Sequence, residues 1–174
     1  MHIKKIFGSL ILAAIYSYAG DVTPLGQTVG KSTIDNLKKS DCSITELGQN
    51  KYSQGKMFNA KPSCYDIQGL KEVLFIYNNS DVLEAVLLKF DNAQFNGILG
   101  SLKQKYKKKT KEDIPFVGNK FVQWEEDKVN IELSSPHMSF DMELLYITKA
   151  LNAKFKGDVN TEAQQKKTKQ TNQL

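Results

Sequence analysis

The stretch LKEVLFIYNNSDVLEAVLLKF, residues 70–90, decides the fold. Two runs rich in branched and aromatic residues, near 70–77 and 82–90, flank the turn-forming series Asn-Asn-Ser-Asp. This order predicts two neighbouring β-strands joined by a tight turn. Three consecutive apolar residues, Val86 to Leu88, break the alternation of the second strand. An unbroken apolar run is typical of a strand covered on both faces, so we place it at the centre of a sheet.

The segment that follows predicts a helix lying on this sheet, because its apolar residues recur at spacings of three and four. They are Phe95, Ile98, Leu99, Leu102 and Tyr106. Gly97 and Gly100 interrupt the helix. Each glycine either weakens it by about 1 kcal/mol relative to alanine or permits it to pack closely on the sheet.

The remaining elements complete a mixed fold. A short capped helix is predicted near Ser32, a hairpin at Gly55, and a short closing helix from Thr148 to Phe155. Three runs between residues 119 and 147 alternate apolar and polar residues, as antiparallel strands with one wet face do. The predicted fold class is α+β, an antiparallel β-sheet of about six to seven strands with helices packed on one face. A helix followed by a meander occurs twice, so two helix-plus-meander halves are an alternative arrangement.

The chain opens on a segment with the three parts of a secretory signal peptide. Two lysines precede an apolar run of about ten residues, and the small-residue pattern Ser17-x-Ala19 ends the segment. The apolar run is too short to cross a bilayer, which takes roughly 20 residues. We therefore predict a signal peptide over 1–19, no transmembrane segment in the mature chain, and a periplasmic or secreted protein. Gly20 stands where a lipid-anchored protein would carry its cysteine, and the alternative for the opening segment is a buried first helix.

Behind the leader we predict one α+β domain over 20–155 and a disordered polar tail over 156–174. The tail consists mainly of Lys, Gln, Thr and Asn, and Val159 is its only branched apolar residue before the last position. Such a segment cannot bury enough surface to offset the entropy lost on ordering.

The sequence contains two cysteines, Cys42 and Cys64. In an oxidising compartment an isolated pair is usually a disulfide. This bridge would contribute about 3 kcal/mol to the free energy of unfolding. The alternative is a reactive thiol or redox pair, although the spacing is not Cys-x-x-Cys and no histidine is close in sequence.

All 24 basic residues are lysines, and 19 acidic residues leave a net charge of +5. Arginine is the usual bidentate donor to guanine and phosphate, so its absence argues against a nucleic-acid partner. The run KQKYKKKTK is a candidate patch for weak contact with an anionic surface. Its lysines are Lys103, Lys105, Lys107, Lys108, Lys109 and Lys111. Alternatively, they only complement the dipole of the preceding helix.

No catalytic, cofactor or metal site is predicted. His137 is the single histidine of the mature chain, and no Gly-x-Ser-x-Gly elbow surrounds the serines beside it. One histidine and two bridged cysteines cannot supply the ligands that zinc requires. Asp141 and Glu143 share a strand face and, with Glu132, form a solvated surface, a weak calcium site or a glycosidase-like pair.

Two segments carry a resemblance to a known group of proteins. TPLGQTVGKSTIDNLKK leads through a Gly-x-x-x-Gly turn into a capped helix, and FNGILGSLKQKYKKK is a helix ending in Lys-Tyr-Lys before a strand with a central tryptophan. Over residues 23–150, this order resembles outer-membrane assembly lipoproteins of the BamE/SmpA type and beta-lactamase-inhibitor-protein-like domains. The chain departs from the lipoproteins in lacking the lipid-attached cysteine. The resemblance implies a non-enzymatic domain that binds another protein across its sheet or loops.

These observations lead to two expectations of function. The first is an exported non-enzymatic protein-binding module of the bacterial cell envelope, acting on another envelope or secreted protein. The alternative is a secreted or periplasmic inhibitor or immunity protein that blocks a specific enzyme.

Overall fold

The computed structural model describes residues 20–171. The predicted signal peptide, 1–19, lies outside the described residues. Within the described part of the chain, no helix is both long and apolar enough to cross a membrane.

Eight strands form one antiparallel sheet in the described residues. They are β1 (Ile44–Gln49), β2 (Gln54–Ala60), β3 (Leu70–Asn78), β4 (Leu83–Asp91), β5 (Lys109–Asp113), β6 (Lys120–Glu126), β7 (Val129–Ser135) and β8 (Asp141–Thr148). The α-helices are α1 (Ile34–Lys38), α2 (Phe95–Lys105) and α3 (Lys149–Thr171). The strand order is β1-β2-β3-β4-β8-β7-β6-β5, so each group of four consecutive strands is a meander and the two meanders join where β4 pairs with β8. The first meander follows α1 and the second follows α2.

The prediction of six to seven strands is wrong, because the sheet has eight. The strand that the sequence did not reveal is β5, whose sequence Lys-Thr-Lys-Glu-Asp contains no apolar residue and is exposed throughout. An edge strand needs no apolar face, and charges at an edge discourage pairing with another chain. Hydrophobic periodicity therefore carries no signal for this strand.

The prediction that helices pack on one face is also wrong. Leu99 of α2 belongs to the larger core together with Leu144 of β8. Leu151 of α3 instead packs with Ile147 and Ala85 in a smaller cluster. Because successive side chains of a strand point to opposite faces, Leu144 and Ile147 show that α2 and α3 lie on opposite sides of the sheet.

The third helix is longer than the predicted closing helix. It continues to Thr171 through residues for which the sequence favours a disordered tail. Leu151 and Asn152 are buried, whereas residues 153–159 are exposed. Tertiary packing therefore supports the start of α3, and helix-forming residue types such as Lys, Gln and Ala occupy the rest.

The larger core lies between one face of the sheet and helices α1 and α2. Its largest fully buried side chains include Trp124, Tyr77, Phe75 and Phe90. The central strand predicted at 82–90 is β4, with β3 on one side and β8 on the other. Its burial on both faces explains the unbroken apolar run.

The two cysteines form the predicted disulfide, which is confirmed: their Sγ atoms are 2.09 Å apart. Cys42 precedes β1, and Cys64 lies in the connection between β2 and β3. The bond ties down the edge of the sheet, where β1 is largely exposed and cannot be held by burial.

We expect the double variant Cys42→Ser/Cys64→Ser to lose up to about 3 kcal/mol of unfolding free energy, because the bridge restricts the unfolded chain. Denaturant unfolding followed by Trp124 fluorescence measures this loss. A reducing agent should destabilise the wild type to a similar extent and leave the double variant unaffected. Equal stability of the oxidised wild type and the variant would contradict the expectation.

Candidate functional site

One end of the sheet gathers three long connections between strands. They are the β2–β3 loop (61–69), the β5–β6 loop (114–119) and the β7–β8 loop (136–140). They lie at the same end because neighbouring antiparallel strands reverse direction. The disulfide lies here as well, and we call this the disulfide end.

Five large apolar side chains are exposed on two of these loops, Ile114 at 39% and four others more strongly. In the β5–β6 loop, Phe116 is 104% and Val117 is 67% exposed; in the β7–β8 loop, Met138 is 87% and Phe140 is 88% exposed. Scattered exposed apolar residues are ordinary, but several at neighbouring loop tips mark a contact surface. We call these four residues the apolar tips.

The two loops that carry the apolar tips are linked to each other. The backbone N–H of His137 donates a hydrogen bond to Oδ1 of Asn119, with a donor–acceptor distance of 2.7 Å. Each loop also has a left-handed backbone position, Gly118 at φ 129° and Met138 at φ 59°. A methionine in this conformation is disfavoured and persists only when its surroundings fix it, as they do at many binding sites.

Asn92, at the start of the connection from β4 to α2, fixes the β7–β8 loop. Its backbone N–H donates to the carbonyl oxygen of Phe140 (2.9 Å), and its Nδ2 donates to the carbonyl oxygen of Ser139 (2.9 Å). The hydroxyl of Ser135 donates to Asn92 Oδ1 (2.7 Å). Three bonds from one residue therefore hold both ends of the loop against the neighbouring strand.

We expect Asn92→Ala to reduce stability by about 1–3 kcal/mol, because the buried Ser135 hydroxyl loses its partner. The β7–β8 loop should also become more mobile, which amide hydrogen exchange would show as lost protection at Ser139. The matched control is Asn119→Ala, which removes one exposed bond and should cost less than about 1 kcal/mol. Unchanged exchange in Asn92→Ala would contradict the anchoring role.

Three of the six lysines of the candidate patch form ion pairs within the chain. Lys103 donates to Glu112 (2.7 Å), Lys109 donates to the same carboxylate, and Lys108 pairs with Glu125 (3.1 Å). The hydrogen bond from Lys103, followed by that from Lys109, holds the pKa of Glu112 below its ordinary value. These exposed ion pairs add little stability, but they reduce the positive charge presented to a partner.

Two other lysines of the patch lie over aromatic rings. The Nζ of Lys105 is 5.3 Å from the ring centroid of Tyr106, and that of Lys111 is 5.2 Å from the ring of Phe121. Lys107 is exposed between α2 and β5. Contact with an anionic surface stays a prediction.

Two of the serines beside His137 bond to other groups. Ser135 donates to Asn92, and the Ser139 hydroxyl donates to the carbonyl oxygen of Asp141 (2.8 Å). The Asp141 carboxylate accepts a hydrogen bond from Lys71 (2.5 Å). In residues 20–171, no three His, Cys, Asp or Glu side chains converge as a metal ion would require. The hydroxyls of Ser135 and Ser139 therefore donate to groups other than the imidazole.

A groove of about 450 Å³ lies at the opposite end of the sheet. Its lining includes Lys31, which pairs with Asp21 (2.7 Å), and Glu84, which accepts a hydrogen bond from Asn78 (3.3 Å). The groove thus presents charges of both signs, whereas the disulfide end presents exposed apolar surface.

No protein-family model matches this chain, and no curated protein or solved structure is significantly similar to it. The resemblance to envelope lipoproteins and inhibitor-like domains stays a prediction. What the protein does is therefore inferred from its own surface.

Sequence reasoning missed the apolar tips, although a signal was present. In the series Asp-Ile-Pro-Phe-Val-Gly-Asn, a phenylalanine and a valine stand between two strong turn formers, proline and glycine. A turn leaves few ways to bury such side chains, so aromatic residues there indicate a contact surface. The same holds for Met138 and Phe140, which follow Pro136.

Proposed function

We propose that this protein is an exported, non-enzymatic protein-binding module of the bacterial cell envelope and that the apolar tips are its contact surface. The observation that carries the proposal is the exposure of four large apolar side chains on two loops held in place by Asn92 and Asn119. Exposed aromatic residues and methionine are the types enriched in the centres of protein interfaces.

Export is supported by the disulfide between Cys42 and Cys64, because such bonds persist mainly in oxidising compartments. The predicted leader over 1–19 points to the same compartment. With the leader removed, the proposed location is the periplasm or the extracellular medium.

A second candidate is an inhibitor or immunity protein that blocks one enzyme. Two neighbouring loops whose apolar side chains protrude from a rigid sheet are a shape that can enter an active-site cleft, and inhibitors of this kind change little on binding. The two candidates differ in what happens to the partner: an inhibitor abolishes its activity, whereas an envelope module leaves it intact.

The proposal is tested by placing a photo-crosslinking phenylalanine analogue at position 116 or 140 in the protein produced by its native host. Leu47, a half-exposed apolar residue on β1, provides the control position. We expect one discrete crosslinked protein from 116 and 140 and none from 47. Identical patterns at all three positions, or no crosslink at any, would contradict the proposed contact surface. If the crosslinked protein is an enzyme, adding the purified chain decides between module and inhibitor.

A further inference from the structure

We propose that Met138 is a site of reversible oxidation to methionine sulfoxide and that this modification weakens contact through the apolar tips. This inference rests on the proposed function, because the oxidised atom belongs to the same contact surface. Among the described residues, the sulfur atoms differ widely in their access to solvent, and the most accessible one lies on that surface.

The sulfur-containing side chains of the described residues are two cysteines and three methionines. Both cysteines take part in the disulfide, so residues 20–171 contain no free thiol to react first with an oxidant. Met142 is fully buried in β8, at 0% exposure. Met138 is 87% exposed on the β7–β8 loop, so an oxidant in solution reaches its sulfur directly.

Met57, the third methionine, lies in β2 and is partly buried. Its Sδ atom accepts a hydrogen bond from Nδ2 of Asn50, at a distance of 3.6 Å. A thioether sulfur reacts through its lone pairs, so burial and this hydrogen bond both slow the reaction of Met57 with an oxidant. Within the described part of the chain, the Sδ atom of Met138 has no hydrogen bond. We therefore expect Met138 to react before the other two methionines.

The oxidant that we propose is a hydroperoxide, such as hydrogen peroxide. A lone pair of the Met138 sulfur attacks one peroxide oxygen, the O–O bond breaks, and an S–O bond forms. The sulfur loses two electrons, and the departing hydroxide takes the proton of the transferred oxygen and leaves as water. A methionine sulfoxide reductase reverses the change: two thiols are oxidised to a disulfide, and the sulfoxide oxygen leaves as water.

Oxidation at this position changes the chemistry of the apolar tips. The hydrogen bonds of Asn119 and Asn92 to the residues on either side of Met138 fix the loop that presents it. Methionine sulfoxide is polar where methionine is apolar, and it disrupts interfaces to which methionine contributes. An oxygen carried into an apolar contact without a hydrogen-bond donor should weaken association about tenfold.

The site is tested without any partner. The intact purified protein is treated with hydrogen peroxide, and peptide mass spectrometry follows the addition of oxygen at each methionine. We expect Met138 to react about tenfold or more faster than Met57 and Met142, because the fold shields the other two. In denaturant, which is the control, the three rates should become similar. Equal rates in the folded protein would overturn the proposed site and leave the proposed function standing.

The effect on the apolar tips is measured with two probes, a phenyl-substituted chromatography matrix and the partner identified by crosslinking. Peroxide should shorten retention on the matrix and weaken binding of the partner about tenfold, and methionine sulfoxide reductase should restore both. Met138→Leu is the matched control, because it keeps an apolar side chain of similar volume without sulfur, and peroxide should leave it unchanged. Met138→Gln, which is polar at this position, should behave as the oxidised protein does without any peroxide.

Three results would contradict the regulatory role of Met138. Selective oxidation that changes neither retention nor affinity would remove that role, and the contact surface would still stand if Phe116→Ala/Phe140→Ala lost binding. Affinity that is insensitive to oxidation and to the loss of both phenylalanines would overturn the contact surface together with its regulation. Weaker binding by peroxide-treated Met138→Leu would assign the effect of peroxide to another residue.

Discussion

The double variant Phe116→Ala/Phe140→Ala is expected to bind the crosslinked partner about a thousandfold more weakly than the wild type. A phenylalanine that passes from full exposure into an interface buries on the order of 150–250 Å². Central aromatic contacts of this kind cost about 2 kcal/mol or more each when truncated. Two of them together correspond to about 4 kcal/mol, or three orders of magnitude in Kd. Isothermal titration calorimetry with the purified partner measures the change.

The fold should be unaffected, because both side chains are exposed and contribute nothing to the core. Denaturant unfolding of the double variant should therefore match the wild type within about 0.5 kcal/mol. Leu47→Ala is the control for loss of exposed apolar surface elsewhere, and its affinity should be unchanged. Wild-type affinity in the double variant would exclude the apolar tips as the contact surface.

Gly55→Ala is expected to destabilise the fold by about 4 kcal/mol or more, which is exceptional for the addition of one methyl group. Gly55 is buried in β2, and a Cβ there would lie closer than 3.0 Å to backbone atoms of Tyr77 and Asn78 on β3. Backbone atoms inside a paired strand cannot move aside as a flexible side chain can. Thermal unfolding and the yield of folded protein measure the effect.

Two other glycines provide the matched control for the same substitution. A Cβ added at Gly97 or Gly100 of α2 meets no atom within 4 Å. Close packing on the sheet therefore does not require either glycine. Of the two roles that the sequence leaves open for these glycines, the lower helix propensity is the one that applies. Gly97→Ala and Gly100→Ala should each stabilise the protein by up to about 1 kcal/mol. Wild-type stability in Gly55→Ala would mean that β2 and β3 are spaced differently from the structure described.

The sequence predicts the parts of this fold in which burial repeats with a regular period. The stretch over 70–90 gives β3 and β4, the apolar stripe gives α2, and the alternating runs give β6, β7 and β8. The disulfide follows from two cysteines and the expectation of export. Each of these strands and α2 follows from a pattern of neighbouring residues, so it can be predicted without knowing which distant residues it contacts.

The sequence does not predict the features that depend on position in the sheet. β5 is polar and lies at an edge of the sheet, and Leu151 of α3 packs on the face opposite α2. The apolar tips come together only because the β5–β6 and β7–β8 loops meet at one end. These loops are separated by about twenty positions in the chain, and they meet because β6 and β7 run in opposite directions. Local periodicity does not predict which loops become neighbours.

The pairing of β4 with β8 also sets the order in which the molecule can be completed. β4 is finished 50 residues before β8 begins, counting from Asp91 to Asp141. Until β8 is present, β4 is therefore an apolar edge strand of the first meander, with unpaired backbone groups. Another chain can pair with such an edge. A nascent molecule interrupted after α2 would be prone to exchange halves with its neighbour. The lysines at the end of α2 and along β5, which follow at once, add charge to the chain during that interval and favour keeping such intermediates apart.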